Sequence, residues 1–374
     1  MAKVLVVSHY APTLVNFRGV LIRSMTEAGH KVVALGPEPG YGEALEALGA
    51  RYRQYPLERT GLNPLHDYGT LRSLVRIIRE ESPEIVFSYA VKPVIYGSKA
   101  AGACRVPGIY SMITGLGYAF GAGDWKRMMV TALVCNMYRR SLRLNRAVFF
   151  QNPDDRDLFV RLGLLPEGAP PVLVNGSGVD LDRFYWVPPP PPPLTFLLVA
   201  RLLRDKGIGE FVAAARVLKR RYPAADFQML GPLDPNPTAL RREEVENWSR
   251  EGIIRYLGET RDVRPFLERA HVFVLPSYRE GTPRSVLEAM AVGRPVITTA
   301  APGCRETVRP GENGWLVPVQ NVTKLVEAMD FFLQNPERIL VMGQASRRIA
   351  EEKYDVRQVN QVLMRTMGLG SHDG

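Results

Sequence analysis

Two carboxylates, Glu280 and Glu288, flank a Gly-Thr-Pro corner in the stretch SYREGTPRSVLEAMAVGRPVITT, residues 277–299. A carboxylate on the loop can accept the hydroxyls of a hexose, and one on the following helix can accept both hydroxyls of a ribose. Gly281 takes a Cβ out of the path of an approaching ligand. Free N–H groups at the helix start, around Gly281 to Arg284, favour anions and polar ligand atoms, the donors being neighbours of Pro283, which has no N–H of its own. Upstream, LLVARLLRDKG carries Arg201 and Lys206 directly after a strand. Arginine grips phosphate oxygens two at a time and lysine acts as a compact point charge. The pair therefore suits a diphosphate, above all one that gains charge as it leaves. Taken singly, each of these side chains would serve equally as a solvated surface charge.

Positioning such groups requires strands that end where the ligand sits. HVFVLPS, before Glu280, is an apolar run of strand length. Pro283 marks a helix start with Thr282 as its N-cap, and Gly293 and Pro295 mark its end. The same strand–helix alternation runs through the chain. KVLVVS, KVVALG, IVFSY, GIYSMIT, AVFFQN and PVLVNG precede six consecutive prolines, Pro188 to Pro193. LTFLLVAR, DFQML, IIRYLG, VFVLPS, PVITT and WLVP follow them. Continuous apolar strands separated by helical patterns predict parallel sheets covered on both faces. The prolines predict a semi-rigid linker at 188–193. The expected fold is α/β: two doubly wound Rossmann-like domains facing across a cleft, with ligands beyond the carboxyl ends of the strands.

The 374 residues suffice for two domains, and 46% hydrophobic with 23% charged residues is the balance of a folded globular protein. No run approaches the roughly 18–20 apolar residues needed to span a bilayer. MAKVLVVSHY opens directly on a strand, so no signal peptide is expected. Cys104, Cys135 and Cys304 lack metal or disulfide spacing, which fits a reducing cytosol. Much of the formal charge of +10 lies in residues 101–150, where seven basic residues face only Asp124. No nucleic-acid-binding motif accompanies them; an anionic membrane surface or a phosphorylated substrate remains. WKRMMVTALVCNMYRRSLRLNR predicts a helix from Trp125 to about Arg146. It would present Trp125, Met128 and Met129 on the face that carries Arg139, Arg140 and Arg143. A packed helix with a solvated basic end is the competing reading.

The strand followed by E-G-x-P-x-x-x-x-E, with an arginine and a lysine after an earlier strand, resembles the family-four retaining glycosyltransferases of the GT-B fold. VLVVSHYAPTLVNFRGVLIRSM, QNPDDRDLF, VNGSGVDLDRF and GRPVITTAAPGCRETVRPGENGWLVP extend the resemblance over essentially the whole chain. Within the family it looks most like bacterial transferases that add N-acetylhexosamines to undecaprenyl-diphosphate-linked sugars. The resemblance implies an acceptor-binding domain at 1–187, the linker, a nucleotide-sugar domain at 194–352, and a last segment, 353–374. That segment would be a helix packed back on the first domain, followed by a disordered tail. It also implies that Arg201 and Lys206 hold the donor diphosphate, Glu280 the donor sugar and Glu288 the ribose. Gly281, Thr282 and Pro283 line the donor, Gly19 lets the first loop approach its phosphates, and Gly231, Leu257 and Gly258 line the base.

On the acceptor side the loop TGLGYAFG offers Thr114, Gly115 and Tyr118. Thr282 replaces a bulkier apolar residue of the motif, which implies a different sugar pocket, and relatives often carry a histidine or carboxylate near Thr114, so no protein general base is named. The implied reaction moves a hexose or N-acetylhexosamine, GalNAc or GlcNAc first, from a UDP-sugar to a polyprenyl-diphosphate-linked sugar. It needs no cofactor or metal and proceeds with retention, for O-antigen or related glycans at the cytoplasmic face of the plasma membrane. A dehydrogenase lacks its G-x-G-x-x-G after the first strand. A sugar-nucleotide epimerase or hydrolase, or a non-catalytic sugar-nucleotide-binding protein, stays as the alternative.

Overall fold

The computed structural model describes residues 1–370 apart from 59, 60, 62, 117–124, 167, 235 and 237. Among the described residues the chain forms two units, Met1–Ser177 with Val356–Gly374, and Gly178–Asp355.

In the first unit, β1 (Lys3–Val7), β2 (Lys31–Gly36), β3 (Arg51–Gln54), β4 (Ile85–Tyr89), β5 (Gly108–Ile113), β6 (Ala147–Phe150) and β7 (Pro171–Leu173) form one sheet. Their order is β3-β2-β1-β4-β5-β6-β7, and every pair is parallel. Every residue of β4 and β5 is buried, as helices on both faces demand of a central parallel strand. β3 was not foreseen. Its sequence RYRQ lies at the sheet edge and is half exposed, so it carries no apolar run to betray it.

The second unit holds β8 (Thr195–Val199), β9 (Asp226–Leu230), β10 (Arg255–Tyr256), β11 (Val272–Leu275), β12 (Val296–Thr299) and β13 (Gly314–Val317). The order is β10-β9-β8-β11-β12-β13, again all parallel. Phe196, Phe211 and Phe227 pack together at the centre of one of its two apolar layers. Each such ring or aliphatic side chain removed from water contributes about 1.5–3 kcal/mol.

The units do not divide where the prolines suggested. The boundaries fall at Ser177/Gly178 and Asp355/Val356, which places Pro188–Pro193 inside the second unit. Two buried side chains hold the run there. Arg294 Nη2 donates to the carbonyls of Val187 and Pro188 at 2.9 and 3.3 Å, and His271 Nε2 lies 2.9 Å from the Pro190 carbonyl. The chain then leaves the second unit after Asp355, and helix Val356–Thr366 joins the first. There Val359, Leu363, Met367 and Leu369 enter the layer that contains Val4, Val6, Leu21, Ile22 and Met25. The tail beyond Gly370 lies outside the described residues.

Candidate active site

In the second unit the strand order reverses between β8 and β11, which are direct neighbours. Their following segments turn away to helices Ile208–Arg221 and Arg284–Val292, leaving a crevice at the carboxyl ends of the two strands. After β8 the chain makes a single 3-10 turn, Arg204–Lys206, closed by Gly207 at φ +71°. A Cβ on Gly207 would lie 2.1 Å from the Pro276 carbonyl oxygen, so only glycine lets the turn close on the end of β11. The Tyr278 N–H and the Ser277 hydroxyl both donate to the Asp205 carbonyl, at 2.9 and 3.2 Å. These contacts bring Lys206 Nζ to 2.5 Å from Glu280 Oε1, with side chains only 14% and 16% exposed. The Glu280 N–H donates to the Pro302 carbonyl at 3.0 Å. Nearby, burial and the Glu280 carboxylate push the Cys304 thiol up to about 12.

Arg201 reaches the same edge, half exposed, with its Nη1 2.8 Å from Asp234 Oδ2. Both cations proposed from the sequence thus rest on carboxylates, and a diphosphate entering the crevice would exchange those partners for phosphate oxygens. Asp234 escaped notice; its only local signal is its place in the loop after Gly231. That glycine, Leu257 and Gly258 do meet. The Gly231 N–H donates to the Gly258 carbonyl at 2.8 Å, and the Leu257 N–H to the Met229 carbonyl at 2.9 Å. At φ +147°, a Cβ on Gly231 would fall 1.8 Å from the Ala200 carbonyl oxygen, so the backbone itself demands glycine there.

Helix Arg284–Val292 starts one residue later than expected. Pro283, extended at ψ 111°, occupies the N-cap position assigned to Thr282. Gly281 and Pro283 are buried and Thr282 partly so. Glu288 is 12% exposed on the helix, and Arg284 Nε approaches its Oε1 to 2.9 Å. Burial raises the Glu288 carboxyl above the usual range, and Arg284 offsets only part of that. Arg284 was also missed, although its spacing of four from Glu288 is visible in the sequence.

In the first unit Gly19 opens helix Gly19–Glu27, after a short helix, Pro12–Asn16, inside the expected first loop. A Cβ on Gly19 would make only ordinary contacts, 3.4 Å from Leu48 Cδ1, so packing does not require glycine here. Thr114 and Gly115 follow β5, partly buried, and Tyr118 lies outside the described residues. The basic helix is shorter than predicted, Trp125–Leu142. Asn145 Nδ2 donates to the Ser141 carbonyl at 3.1 Å as the chain turns towards β6. Arg143 consequently lies beyond the helix. Arg139 is partly exposed and donates to the Leu162 and Gly163 carbonyls at 3.0 and 3.2 Å. Arg140 and Arg143 are exposed, as are Trp125, Met128 and Met129 at 64, 68 and 63%. Among the described residues no helix is long and apolar enough to cross a membrane.

Two Rossmann-like parallel sheets, one with a charged crevice at its topological switch point, define the GT-B class. Residues 17–176 match the family described as "Glycosyl transferase 4-like domain", and residues 193–335 match "Glycosyl transferases group 1". The chain belongs to the family-four glycosyltransferases. It is 26% identical over 341 residues to the N,N'-diacetylbacillosaminyl-diphospho-undecaprenol alpha-1,3-N-acetylgalactosaminyltransferase of Campylobacter jejuni, covering 88% of each chain. It is 24% identical to the UDP-Gal:alpha-D-GlcNAc-diphosphoundecaprenol alpha-1,3-galactosyltransferase of Escherichia coli, covering 71% of this chain and 70% of that one. In fold it is similar to Anabaena HepE, solved with UDP and glucose, at a TM-score of 0.77 and 15% identity over 98% of this chain and all of that one.

Proposed function

We propose that this glycosyltransferase moves a hexose or N-acetylhexosamine, GalNAc or GlcNAc first, from a UDP-sugar to a polyprenyl-diphosphate-linked sugar. The setting is cell-surface polysaccharide assembly at the cytoplasmic face of the membrane. One observation carries the reading: Lys206 and Glu280, 74 residues apart, meet at the carboxyl ends of the two strands that flank the switch point. A cation set for the leaving diphosphate lies against a carboxylate for the sugar hydroxyls. The names of the two undecaprenol-dependent relatives support the acceptor, and UDP in the HepE structure supports the donor.

In the proposed reaction the anomeric carbon–phosphate oxygen bond breaks while the acceptor hydroxyl oxygen bonds to the same face of that carbon. The acceptor proton passes to the departing phosphate oxygen, which frees the nucleoside diphosphate with retention. Arg201 and Lys206 stabilise the charge that develops on the diphosphate, and Glu280 orients the sugar. Arginine and lysine thereby take the place a divalent cation would otherwise hold. The glutamates come from one strand–helix unit of one sheet, which does not suit the opposed carboxyl pair of a retaining glycosidase.

The test supplies UDP-GalNAc or UDP-GlcNAc with a short-chain polyprenyl-diphosphate sugar. UDP should appear only when acceptor is present, the product's new linkage should keep the donor's anomeric configuration by NMR, and EDTA should leave the rate unchanged. UDP release without acceptor would make the protein a hydrolase. A rate restored only by Mg²⁺ or Mn²⁺ would defeat the charge assignment.

A further inference from the structure

Arg284 is the first residue of its helix and Glu288 lies one turn later on the same face. For the helix alone this order is the poor one: a cation sits at the positive end of the macrodipole, with its carboxylate towards the negative end. Both side chains are only 12% exposed, so the pair is also removed from most of the water that would solvate it. Helix stability therefore does not account for it. What the arrangement does achieve is a guanidinium held from two directions, with Nη1 donating to the Gly178 carbonyl at 2.8 Å and Nε to Glu288 Oε1 at 2.9 Å.

We infer that Arg284 is a positioning residue of the nucleotide site: anchored on the Gly178 carbonyl, it fixes the Glu288 carboxylate in the orientation that accepts the ribose hydroxyls. The inference rests on the proposed role of Glu288. Arg284 also offsets part of the cost that burial places on the charged carboxyl. The other charged groups that face Glu288 are Arg183, which assists, and Asp262, which opposes and is itself paired with Arg264 at 2.7 Å. Without Arg284 the carboxyl would hold its proton to higher pH and offer the ribose a poorer acceptor.

Calorimetric titration with UDP at pH 6, 7.5 and 9 tests this, with each variant compared with wild type at the same pH so that UDP's own titration cancels. ADP and GDP replace UDP if wild type binds those instead. Glu288→Gln should weaken binding about tenfold at every pH, as for loss of a charged hydrogen-bond acceptor. Arg284→Met should be about tenfold weaker at pH 6 and recover only part of that loss by pH 9, the remainder coming from the lost orientation, while Arg284→Lys stays within about threefold throughout. Should Arg284→Met fail to fold, Arg284→Gln, which keeps a donor for the Gly178 carbonyl, should show the same pH dependence. A weakened Glu288→Gln beside neutral Arg284 variants that bind as wild type at every pH, or whose loss Arg284→Lys shares in full, overturns the positioning role alone. Wild-type affinity in Glu288→Gln, or no nucleotide binding by wild type, overturns the ribose assignment and this inference with it.

Discussion

At the amino end of the first unit's strands, Glu81 closes helix Pro64–Glu81 with its carboxylate among three cations: Lys3 at 2.9 Å, Arg53 at 2.7 Å, and Arg51. At the carboxyl end of the second unit's strands, Glu288 has Arg284 at 2.9 Å. Both side chains are largely out of solvent, at 4% and 12% exposure, and burial is the largest influence on each, pushing the carboxyl up. Around Glu81 the bonds from Lys3 and Arg53 and the charge of Arg51 overturn it, and the carboxyl falls to about 2. Around Glu288 they do not, and the carboxyl stays raised. The residue type is the same; the balance between burial and the cations delivered differs, and that balance decides the outcome. Glu81 is saturated and staples β1 and β3 to a helix end. Glu288, whose charge is less fully compensated, differs from a staple in the way the binding role proposed for it requires.

The strongest break of this comparison lies at the crevice. Lys206→Ala or Arg201→Ala should lower kcat at least about a hundredfold, as for loss of one group that stabilises transition-state charge. Lys3→Ala, at the staple, should leave kcat within about twofold. Glu280→Gln should fall with the first group in kcat yet keep UDP affinity, because its partner is the sugar. Comparable losses from Lys3→Ala and Lys206→Ala would erase the distinction between staple and site.

Stability should report the two glutamates with opposite signs. Glu81→Gln should cost about 2 kcal/mol in urea unfolding at pH 7 and spare UDP affinity. The Glu81 contribution should be complete above about 4.5, its ordinary value, and lost as pH falls from there towards about 2. Unfolding midpoints measured through that window should show a flatter acid slope in Glu81→Gln. Glu288, raised on folding, makes the native state hold its proton more tightly, so its contribution weakens as pH rises above the ordinary carboxyl value. Glu288→Gln should therefore leave stability at pH 7 unchanged or higher. A loss equal to that of Glu81→Gln would return Glu288 to a structural role.

The smallest effect concerns the exposed end of the basic helix. Each basic residue near an anionic surface contributes about 1 kcal/mol. Arg140→Glu with Arg143→Glu should reduce flotation with anionic liposomes at low salt, and wild-type flotation should itself fade at high salt. Arg139→Glu should instead lower thermal stability, because its donors are occupied by the Leu162 and Gly163 carbonyls. Unchanged flotation of the double variant would leave that end as a solvated face.

Where the chain alternates was legible because parallel strands buried on both faces must be continuous apolar runs: IVFSY and VFVL could scarcely be anything else. That Arg201, Lys206 and Glu280 follow strand ends was legible for the same reason. Local pattern says nothing of which strands become neighbours. Lys206 and Glu280, 74 residues apart, meet because β8 and β11 pair at the reversal of strand order, and Gly207 lets their loops close. RYRQ carried no sign of becoming β3, since an edge strand needs no apolar run. The prolines read as a linker because their stiffness is local, whereas the buried Arg294 and His271 that capture their carbonyls come from far along the chain. The charges themselves were written in the residues from the start. Which carboxylate became a staple and which stayed raised depended on its burial and on the cations other elements carried to it, and only the tertiary structure decides both.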